Sequence, residues 1–569
     1  MSVLVVVIGA GVILFISYLT YGRFLSKKVF ALDDTKVTPS VELNDGCDYV
    51  PAKKSMLLGQ HFSAIAAAGP INGPILASVM FGWLPAMLWV LIGSIFIGGV
   101  HDMGSLVASV RNKARSITEV MKLHVSSRAW ILFMIFIWIA LVYVIIAFTD
   151  ITASSFVGIV TLESGERVNG GAVASSSVMY LILPVIMALL MKFGKMKEWL
   201  SLVIFLPLVG VAIWAGQFIP LNLPIADPAS AQKIWGVIIL IYCVAASLLP
   251  MWLLLQPRGT LGGYFLYVSL LIAAVGLIFG GYSINYPAFI NFGADGSMGW
   301  SFWFPMFPIL FITIACGACS GFHALVSSGT TSKQLRKESD AKPVGYGAML
   351  LEGMVAVVSI AFVMILTQDS DMIKRAPNFI YAAGIGRFME ILGISATFGI
   401  TFGLMAFTTF VYDTLDVCTR LGRYIIEELT GLKGWAGKLI GTLLTAGVPV
   451  FFIFQTMTDS KGNSIPAWKI FWSTFGASNQ LLAALALVAV TIWLMHTRKG
   501  SKVWLVAFIP AVIMFVMSNW ALVIAVYNGW VLKTTHPSIP WVSLFLIILS
   551  LLVAFETAHS YIKTRKIQS

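Results

Sequence analysis

The sequence predicts an all-α, polytopic membrane protein with about fifteen transmembrane helices. Three observations support this fold class. Of the 569 residues, 58% are hydrophobic and only 11% are charged, and the mean hydropathy is +0.89. Apolar runs long enough to cross a bilayer recur along the whole chain. Two of these runs are interrupted near their middle by glycine, proline and polar residues. This composition excludes a soluble protein.

The apolar runs, each roughly 18 to 28 residues long, define the predicted spans. They cover residues 2–21, 62–82, 85–110, 129–149, 174–191, 198–217, 234–255, 260–282, 304–327, 344–366, 389–412, 437–455, 468–496, 503–526 and 540–561. No low-complexity segment or appended soluble domain interrupts the series. We therefore expect a single transmembrane domain over residues 1–569.

The net charge of +12 follows from membrane topology. Of the 37 Lys and Arg residues, 29 lie in loops after odd-numbered spans or in the tail, and 8 lie after even-numbered spans. Because cytoplasmic loops carry the excess of basic residues, the N-terminus is predicted outside and the C-terminus in the cytoplasm. A nucleic-acid partner is therefore not expected. The predicted spans are expected to contact the lipid bilayer. The oligomeric state is left open.

The ninth predicted span is interrupted at Gly317 to Gly321 and continues with the lone histidine His323. A broken helix leaves backbone polar groups unpaired in lipid, which is tolerated only where protein or a water-filled cavity receives them. Ser320 is placed to cap a half-helix beginning at Gly321. The interruption therefore predicts the wall of a cavity.

The second predicted span is interrupted by the sequence Gly69-Pro70-Ile71-Asn72-Gly73-Pro74. Because proline favours the first helical position, we predict a half-helix starting at Pro74 with Asn72 or Gly73 as its cap. The two broken spans cross in opposite directions, which predicts inverted repeats over 62–217 and 304–496 around a shared site. The alternative is that these glycines and prolines only allow close helix packing.

Half-helix ends carry free N–H groups and a partial positive charge, so they suit a carboxylate. No basic residue lies deep in a predicted span, so the helix ends would have to receive such a group. The predicted substrate-binding residues are those at or beside the two interruptions: Ser63, Gly69, Pro70, Asn72, Gly73, Pro74, Ser320, Gly321, Phe322 and His323. For His61 and His323 a purely structural hydrogen bond is the alternative.

Buried acids are the predicted proton carriers. Glu352, in the tenth span, is the first choice. Asp102 with its neighbour His101, and Asp413 near the cytoplasmic end of the eleventh span, are either coupling groups or interfacial ion-pair partners.

A Na⁺ site at Thr408 and Thr409 is a further possibility, with hydroxyls that bond back to their own helix as the alternative. Cys316-x-x-Cys319 has the spacing of a redox or metal pair. However, no second ligand pair accompanies it, so neither a metal site nor any other cofactor is expected.

Several segments resemble the signature segments of the carbon starvation protein A (CstA) family. They are residues 59–66, the Gly-Pro pairs at 69–70 and 73–74, residues 82–85, Val100-His101-Asp102 and residues 320–335. The chain has Gln60 where relatives often have His. The resemblance implies a bacterial inner-membrane importer of peptides or pyruvate. It also implies proton coupling and a fold related to the inverted-repeat transporters of the amino acid/polyamine type, as in leucine transporters.

We therefore expect a secondary active transporter that works by alternating access, with a small-molecule substrate and no enzymatic activity. The alternatives are a Na⁺-coupled symporter of another small carboxylate or amino acid, an intramembrane enzyme and a channel. The sequence lacks a His-Glu-x-x-His zinc motif and a repeated polar pore motif, which disfavours the enzyme and the channel.

Overall fold

Helices form almost all of the chain. The computed structural model describes residues 2–568 except 47–48, 67, 162–166, 251, 291–305, 433 and 456–464. The helices of the first part are α1 (Val3–Leu19), α2 (Tyr21–Phe24), α3 (Pro39–Glu42), α4 (Lys54–Ile65), α5 (Gly69–Phe81), α6 (Trp83–Ile92), α7 (Gly99–Arg111) and α8 (Ile117–His124). Then follow α9 (Ser127–Val157), α10 (Gly170–Lys192), α11 (Glu198–Phe218), α12 (Pro228–Leu248) and α13 (Leu255–Phe279).

The second part continues the same architecture. Its helices are α14 (Met306–Thr313), α15 (Gly321–Val326), α16 (Ala348–Ile365), α17 (Pro377–Glu390), α18 (Ala396–Thr430), α19 (Gly434–Phe454), α20 (Ala467–Thr497), α21 (Leu505–Trp530) and α22 (Ser538–Gln568). Short π-helical segments extend some of them, at Leu25–Val29, Gly93–Gly98, Ser327–Thr331 and Lys342–Gly347. Between α9 and α10, the antiparallel strands β1 (Ile159–Thr161) and β2 (Arg167–Asn169) form a small hairpin that the sequence did not predict.

The number of spans agrees with the prediction. Among the described residues, 13 helical stretches are long and apolar enough to cross a membrane, and α4 with α5 makes one further, bent span. The remaining predicted span, 304–327, is occupied by α14 and α15, and its first two residues lie outside the described residues. The all-α, multi-span class with two broken helices is confirmed.

The two broken segments lie in opposite orientations across the membrane. Six continuous spans separate α4 and α5 from α14 and α15, so the two segments cross in opposite directions. Inverted repeats require this arrangement. The repeat boundaries 62–217 and 304–496 stay a prediction.

The eleventh predicted span, 389–412, is shifted in the structure. α17 ends at Glu390, Gly393 adopts a left-handed φ of +74°, and Ser395 caps the next helix by accepting a hydrogen bond from the Phe398 N–H at 3.3 Å. α18 then runs for 35 residues. It continues past residue 412 because the polar side chains that follow are buried against other helices.

The cytoplasmic loop predicted over residues 22–59 packs against the chain that follows the second break. The Ala52 N–H donates to the carbonyl of Gln334 at 2.9 Å, and the Asp33 N–H donates to the carboxylate of Glu338 at 3.0 Å. These contacts hold the loop beside the end of the second broken segment.

Candidate functional site

The two breaks lie against each other. The first separates α4 from α5 at residues 66–68, and the second separates α14 from α15 at residues 314–320. A Cβ added to Gly69 would lie 2.2 Å from the Cβ of Cys316, and one added to Gly317 would lie 3.4 Å from the Cα of Pro70. Glycine is therefore required at Gly69 for the two breaks to meet. The predicted pairing of the interruptions is confirmed.

The start of one half-helix is as predicted and the start of the other is not. α15 begins at Gly321 with Ser320 in the N-cap position. α5 begins at Gly69 rather than at Pro74, and Pro70 lies in its first turn. The first Gly-Pro pair meets the preference for proline at a helix start, so the second pair lies inside the helix. Neither Asn72 nor Gly73 is a cap.

Gly73 and Gly321 allow the half-helices to approach their neighbours. A Cβ on Gly73 would lie 2.5 Å from the carbonyl oxygen of Thr313 at the end of α14. A Cβ on Gly321 would lie 2.4 Å from the carbonyl oxygen of Asn479 on α20. Any larger residue at either position would push the broken segments away from the helices that support them.

Two adjacent side chains of α20, Asn479 and Gln480, bond to both ends of the second break. The Phe322 N–H donates to Asn479 Oδ1 at 3.0 Å, and Asn479 Nδ2 donates to Ser320 Oγ at 3.0 Å. Gln480 Nε2 donates to the carbonyls of Phe311 and Ile314. Asn479 therefore performs the capping that Ser320 was expected to perform. The sequence shows both residues as polar insertions but not their partners.

We expect Asn479→Ala to lower the free energy of unfolding by about 1–3 kcal/mol, since it leaves the Phe322 N–H buried without an acceptor. Denaturant unfolding of the purified protein in detergent micelles measures this change. The matched control is Asn44→Ala, the same substitution in an exposed loop. An equal effect of both substitutions would contradict the capping role.

Four buried titratable side chains form a chain beside the second break. One carboxylate oxygen of Glu352 accepts a hydrogen bond from the Gly317 N–H at 3.0 Å, and the other lies 3.2 Å from His323 Nε2. His323 Nδ1 lies 2.9 Å from Asp102 Oδ2, and Asp102 Oδ1 lies 2.7 Å from His101 Nδ1. All four side chains are 0% exposed. We call this set the Glu352 cluster.

The Glu352 cluster unites four predicted coupling or binding residues from three elements. Glu352 comes from α16, His323 from α15, and Asp102 with His101 from α7. Asp102 is fully buried between two imidazoles, and its role as a coupling group stays a prediction. Imidazole and carboxylate groups in contact can exchange a proton, and buried ones in a membrane protein are typical of proton relays.

Asp413 is a buried ion-pair partner, and its role in proton coupling stays a prediction. Its carboxylate accepts a hydrogen bond from Ser63 on α4 and pairs with Arg258 of α13. No basic residue lies deep in a predicted span, but Arg258 is nevertheless 0% exposed. It lies between two predicted spans in the sequence, so hydropathy placed it in a loop.

Some predicted residues lack the expected contacts. The Thr408 hydroxyl donates to the Met405 carbonyl at 3.0 Å and contacts Ser177 Oγ at 3.1 Å, whereas the buried Thr409 hydroxyl has no hydrogen-bond partner. Back-bonding of Thr408 agrees with the alternative to a Na⁺ site. Both amide atoms of Asn72 are also buried without a partner. Asn72 thus has free hydrogen-bonding capacity at the first turns of α5.

His61 on α4 contacts the π-helical segment that follows α15. Its Nδ1 lies 2.8 Å from the hydroxyl of Thr331. A cavity of about 20 Å³ lies beside it, lined by Gln60 and Asp413 among others. Such a space has room for about one water molecule but not for a peptide.

Three buried side chains beside the second break could together hold a metal ion. The nearest ligand atoms of Cys316, His323 and Glu352 lie within 4.8 Å of one another. That spacing suits a cation. The Cys316 sulfur, however, accepts a hydrogen bond from Asn479 at 3.6 Å, and His323 and Glu352 face each other. We assign none of them as a metal ligand, and the expectation of no metal stays a prediction.

Comparison with known proteins shows what the chain resembles. The family model described as "Carbon starvation protein CstA" matches residues 1–381 and 367–521. "Peptide transporter CstA" of Helicobacter pylori is 32% identical over 89% of this chain and 80% of its own length. "Peptide transporter CstA" of Bacillus subtilis is 32% identical over 92% of this chain and 90% of its own length.

"Pyruvate/proton symporter BtsT" of Escherichia coli is 30% identical over 93% of this chain and 82% of its own length. Among solved structures, the Eremococcus coleocola manganese transporter is similar with a TM-score of 0.48 and 13% identity, covering 92% of this chain and 99% of that one. MhsT in complex with L-phenylalanine is similar with a TM-score of 0.47 and 12% identity, covering 82% and 99%. The family model and the curated relatives span most of the chain, which therefore belongs to the carbon starvation protein CstA family of membrane transporters.

Proposed function

We propose that this chain imports a small carboxylate-bearing nutrient, a peptide or pyruvate, together with protons. The observation that carries the proposal is the contact between the Glu352 cluster and the break before α15. Because Glu352 bonds to the Gly317 N–H, a change in its protonation acts directly on the broken backbone. Coupling between a proton and a conformational change requires such a contact.

The substrate class is supported by the relatives. Several are named peptide transporters, and one is named a pyruvate/proton symporter. Peptides and pyruvate share a carboxylate. In our proposal the first turns of α5 and α15 receive this carboxylate, with Asn72 adding hydrogen bonds, whereas the Ser63 hydroxyl is held by Asp413. The other predicted binding residues, Gly69, Pro70, Gly73, Pro74, Gly321 and Phe322, shape the backbone around it.

Two broken helices that meet support transport by alternating access. In one state substrate and proton enter from outside, and the Glu352 cluster holds the proton. The two repeats then move against each other and open the site to the cytoplasm. We place the protein in a bacterial inner membrane with the N-terminus outside, as the distribution of basic residues predicts.

Substrate uptake by the purified protein in proteoliposomes tests the proposal. Labelled pyruvate and labelled di- and tripeptides are supplied separately, each with an imposed proton gradient or an imposed Na⁺ gradient. Accumulation driven by the proton gradient is expected for one of these substrates. Uptake that only equilibrates would indicate a channel and would contradict the proposal.

A Na⁺-coupled symporter is the second candidate. The buried, unpartnered hydroxyl of Thr409 favours it, since such a hydroxyl is a possible cation ligand. This alternative would be established if a Na⁺ gradient drives substrate accumulation with the same pH on both sides of the membrane, and if Thr409→Val loses that accumulation. Loss of proton-driven uptake is not expected for that variant.

Asn72→Ala is expected to weaken substrate binding about 5- to 100-fold, which is the effect of removing one or two hydrogen bonds to a charged group. Binding of the substrate identified by uptake is measured by titration calorimetry on the detergent-solubilised protein. The control is Asn378→Ala, which removes a buried asparagine whose amide already donates to Ser155 at 2.8 Å. Unchanged affinity in Asn72→Ala would remove α5 from the binding site.

A further inference from the structure

A second buried charged cluster lies away from the Glu352 cluster. We call it the Arg258 cluster, and its members are Arg258 (α13), Asp413 and Asp416 (α18) and Tyr242 (α12). Arg258 Nε and Nη2 donate to Asp413 Oδ1 at 2.8 and 2.7 Å, and Nη1 contacts Asp416 Oδ2 and the Tyr242 hydroxyl. The Tyr242 hydroxyl donates to Asp416 Oδ2 at 3.0 Å. The charged members are at most 3% exposed.

The cluster contains two carboxylates and one guanidinium. Further ionisable groups lie beside it among the described residues: Arg420, Tyr180, Cys243, Tyr412 and Cys418. Arg420 donates to the carbonyls of Ala246 and Leu249 at the end of α12, at 2.8 and 2.7 Å, so its charge is directed to that helix end. The hydroxyl of Tyr180 lies 3.4 Å from the Arg258 carbonyl, and Cys243 is the neighbour of Tyr242 on α12. An unbalanced buried charge is costly, so the cluster is expected to take up one more positive charge.

The hydrogen bonds indicate which of the two acids, Asp413 or Asp416, takes up this additional positive charge. Asp413 has partners on both oxygens, since Oδ1 accepts two N–H groups of Arg258 and Oδ2 accepts the Ser63 hydroxyl. Asp416 has partners on Oδ2, but its Oδ1 is buried and has no hydrogen-bond partner among the described residues. An ion with an unpaired buried oxygen is less stable than one that is fully bonded. The adjacent guanidinium would repel a metal cation at Asp416. A proton instead binds covalently to the free carboxylate oxygen and needs no further ligand.

We propose that Asp416 is a second proton-binding site, separate from Glu352, and that its proton crosses the membrane with each substrate molecule. The proposal rests on proton coupling as the function. When Asp416 is protonated, Arg258 pairs with Asp413 alone. When Asp416 is ionised, Arg258 is shared between two carboxylates on α18. Since Asp413 also holds Ser63 on α4, this change reaches the half-helix before the first break.

The number of protons per substrate tests the proposal. Proteoliposomes containing the full chain are given a fixed ratio of labelled substrate across the membrane, either pyruvate or dialanine, whichever the uptake assay shows to be accumulated. Valinomycin and equal K⁺ hold the voltage at zero. The pH gradient that stops net flux is then measured. This gradient is inversely proportional to the number of protons carried.

We expect Asp416→Asn to need a pH gradient about twofold larger than the wild type, because one of two protons is lost. Asp416→Glu, which keeps an ionisable group, and Asp371→Asn, an exposed outer acid, should need the wild-type gradient. The wild-type value in an active Asp416→Asn protein would overturn the proposal.

If Asp416→Asn shows no net flux, exchange of labelled for unlabelled substrate is measured. Retained exchange together with net uptake restored in Asp416→Glu supports the proposal. Loss of exchange in both variants indicates a structural role and overturns it. A wild-type protein whose flux no pH gradient can balance would instead refute proton coupling itself, so the two failures are distinguishable.

Discussion

Glu352→Gln is expected to abolish accumulation of substrate driven by a pH gradient while leaving substrate binding intact. Glutamine has the size of glutamate, and its amide oxygen can still accept the hydrogen bond from the Gly317 N–H. It cannot bind or release a proton in the physiological range. Without a proton cycle at the second break, that half of the site does not respond to the gradient, so a proton on Asp416 alone drives no net uptake.

Uptake into proteoliposomes and exchange of labelled for unlabelled substrate separate the two effects. Net uptake should fall to the level of empty liposomes, and exchange should continue because it needs no change of protonation. Glu390→Gln, the same change at an exposed position of α17, is the control. Normal accumulation by Glu352→Gln would remove this residue from the coupling mechanism.

Arg258→Ala is expected to lower the free energy of unfolding by about 3–5 kcal/mol, because it leaves two buried carboxylates without their counter-ion. The side chain is 0% exposed and bonds to Asp413 and Asp416, so its loss removes the cationic partner of both buried carboxylates. Thermal unfolding in detergent micelles measures the loss as a lower Tm. Lys374→Ala, which removes an exposed partner of Asp371, should cause no measurable change. Equal Tm values for both variants would contradict the importance of the Arg258 cluster.

The breaks could be predicted from the sequence because their cause is local. A cluster of glycine, proline and capping residues indicates an interruption near it, and α15 begins at Gly321 as the sequence predicts. The start of α5 was placed five residues too late. The sequence contains two Gly-Pro pairs, and only the packing of Gly69 against Cys316 shows which of them begins the helix.

The residues that support the breaks could not be predicted because their partners are distant in sequence. Asn479 is 157 residues from the Phe322 N–H that it caps, and Arg258 is 155 residues from Asp413. Hydropathy placed Arg258 in a loop. The sequence shows three isolated polar residues in apolar spans, Asp102, His323 and Glu352. Their contact with one another depends on how α7, α15 and α16 pack.

The central claim is that substrate enters together with protons. Measuring proton movement during substrate entry tests this claim most directly. Substrate is added outside proteoliposomes that have no imposed gradient, and a pH electrode follows the external medium. The account predicts that the medium becomes more alkaline as labelled substrate enters, and that Glu352→Gln gives no pH change. Entry of labelled substrate without any alkalinisation in the wild type would contradict it.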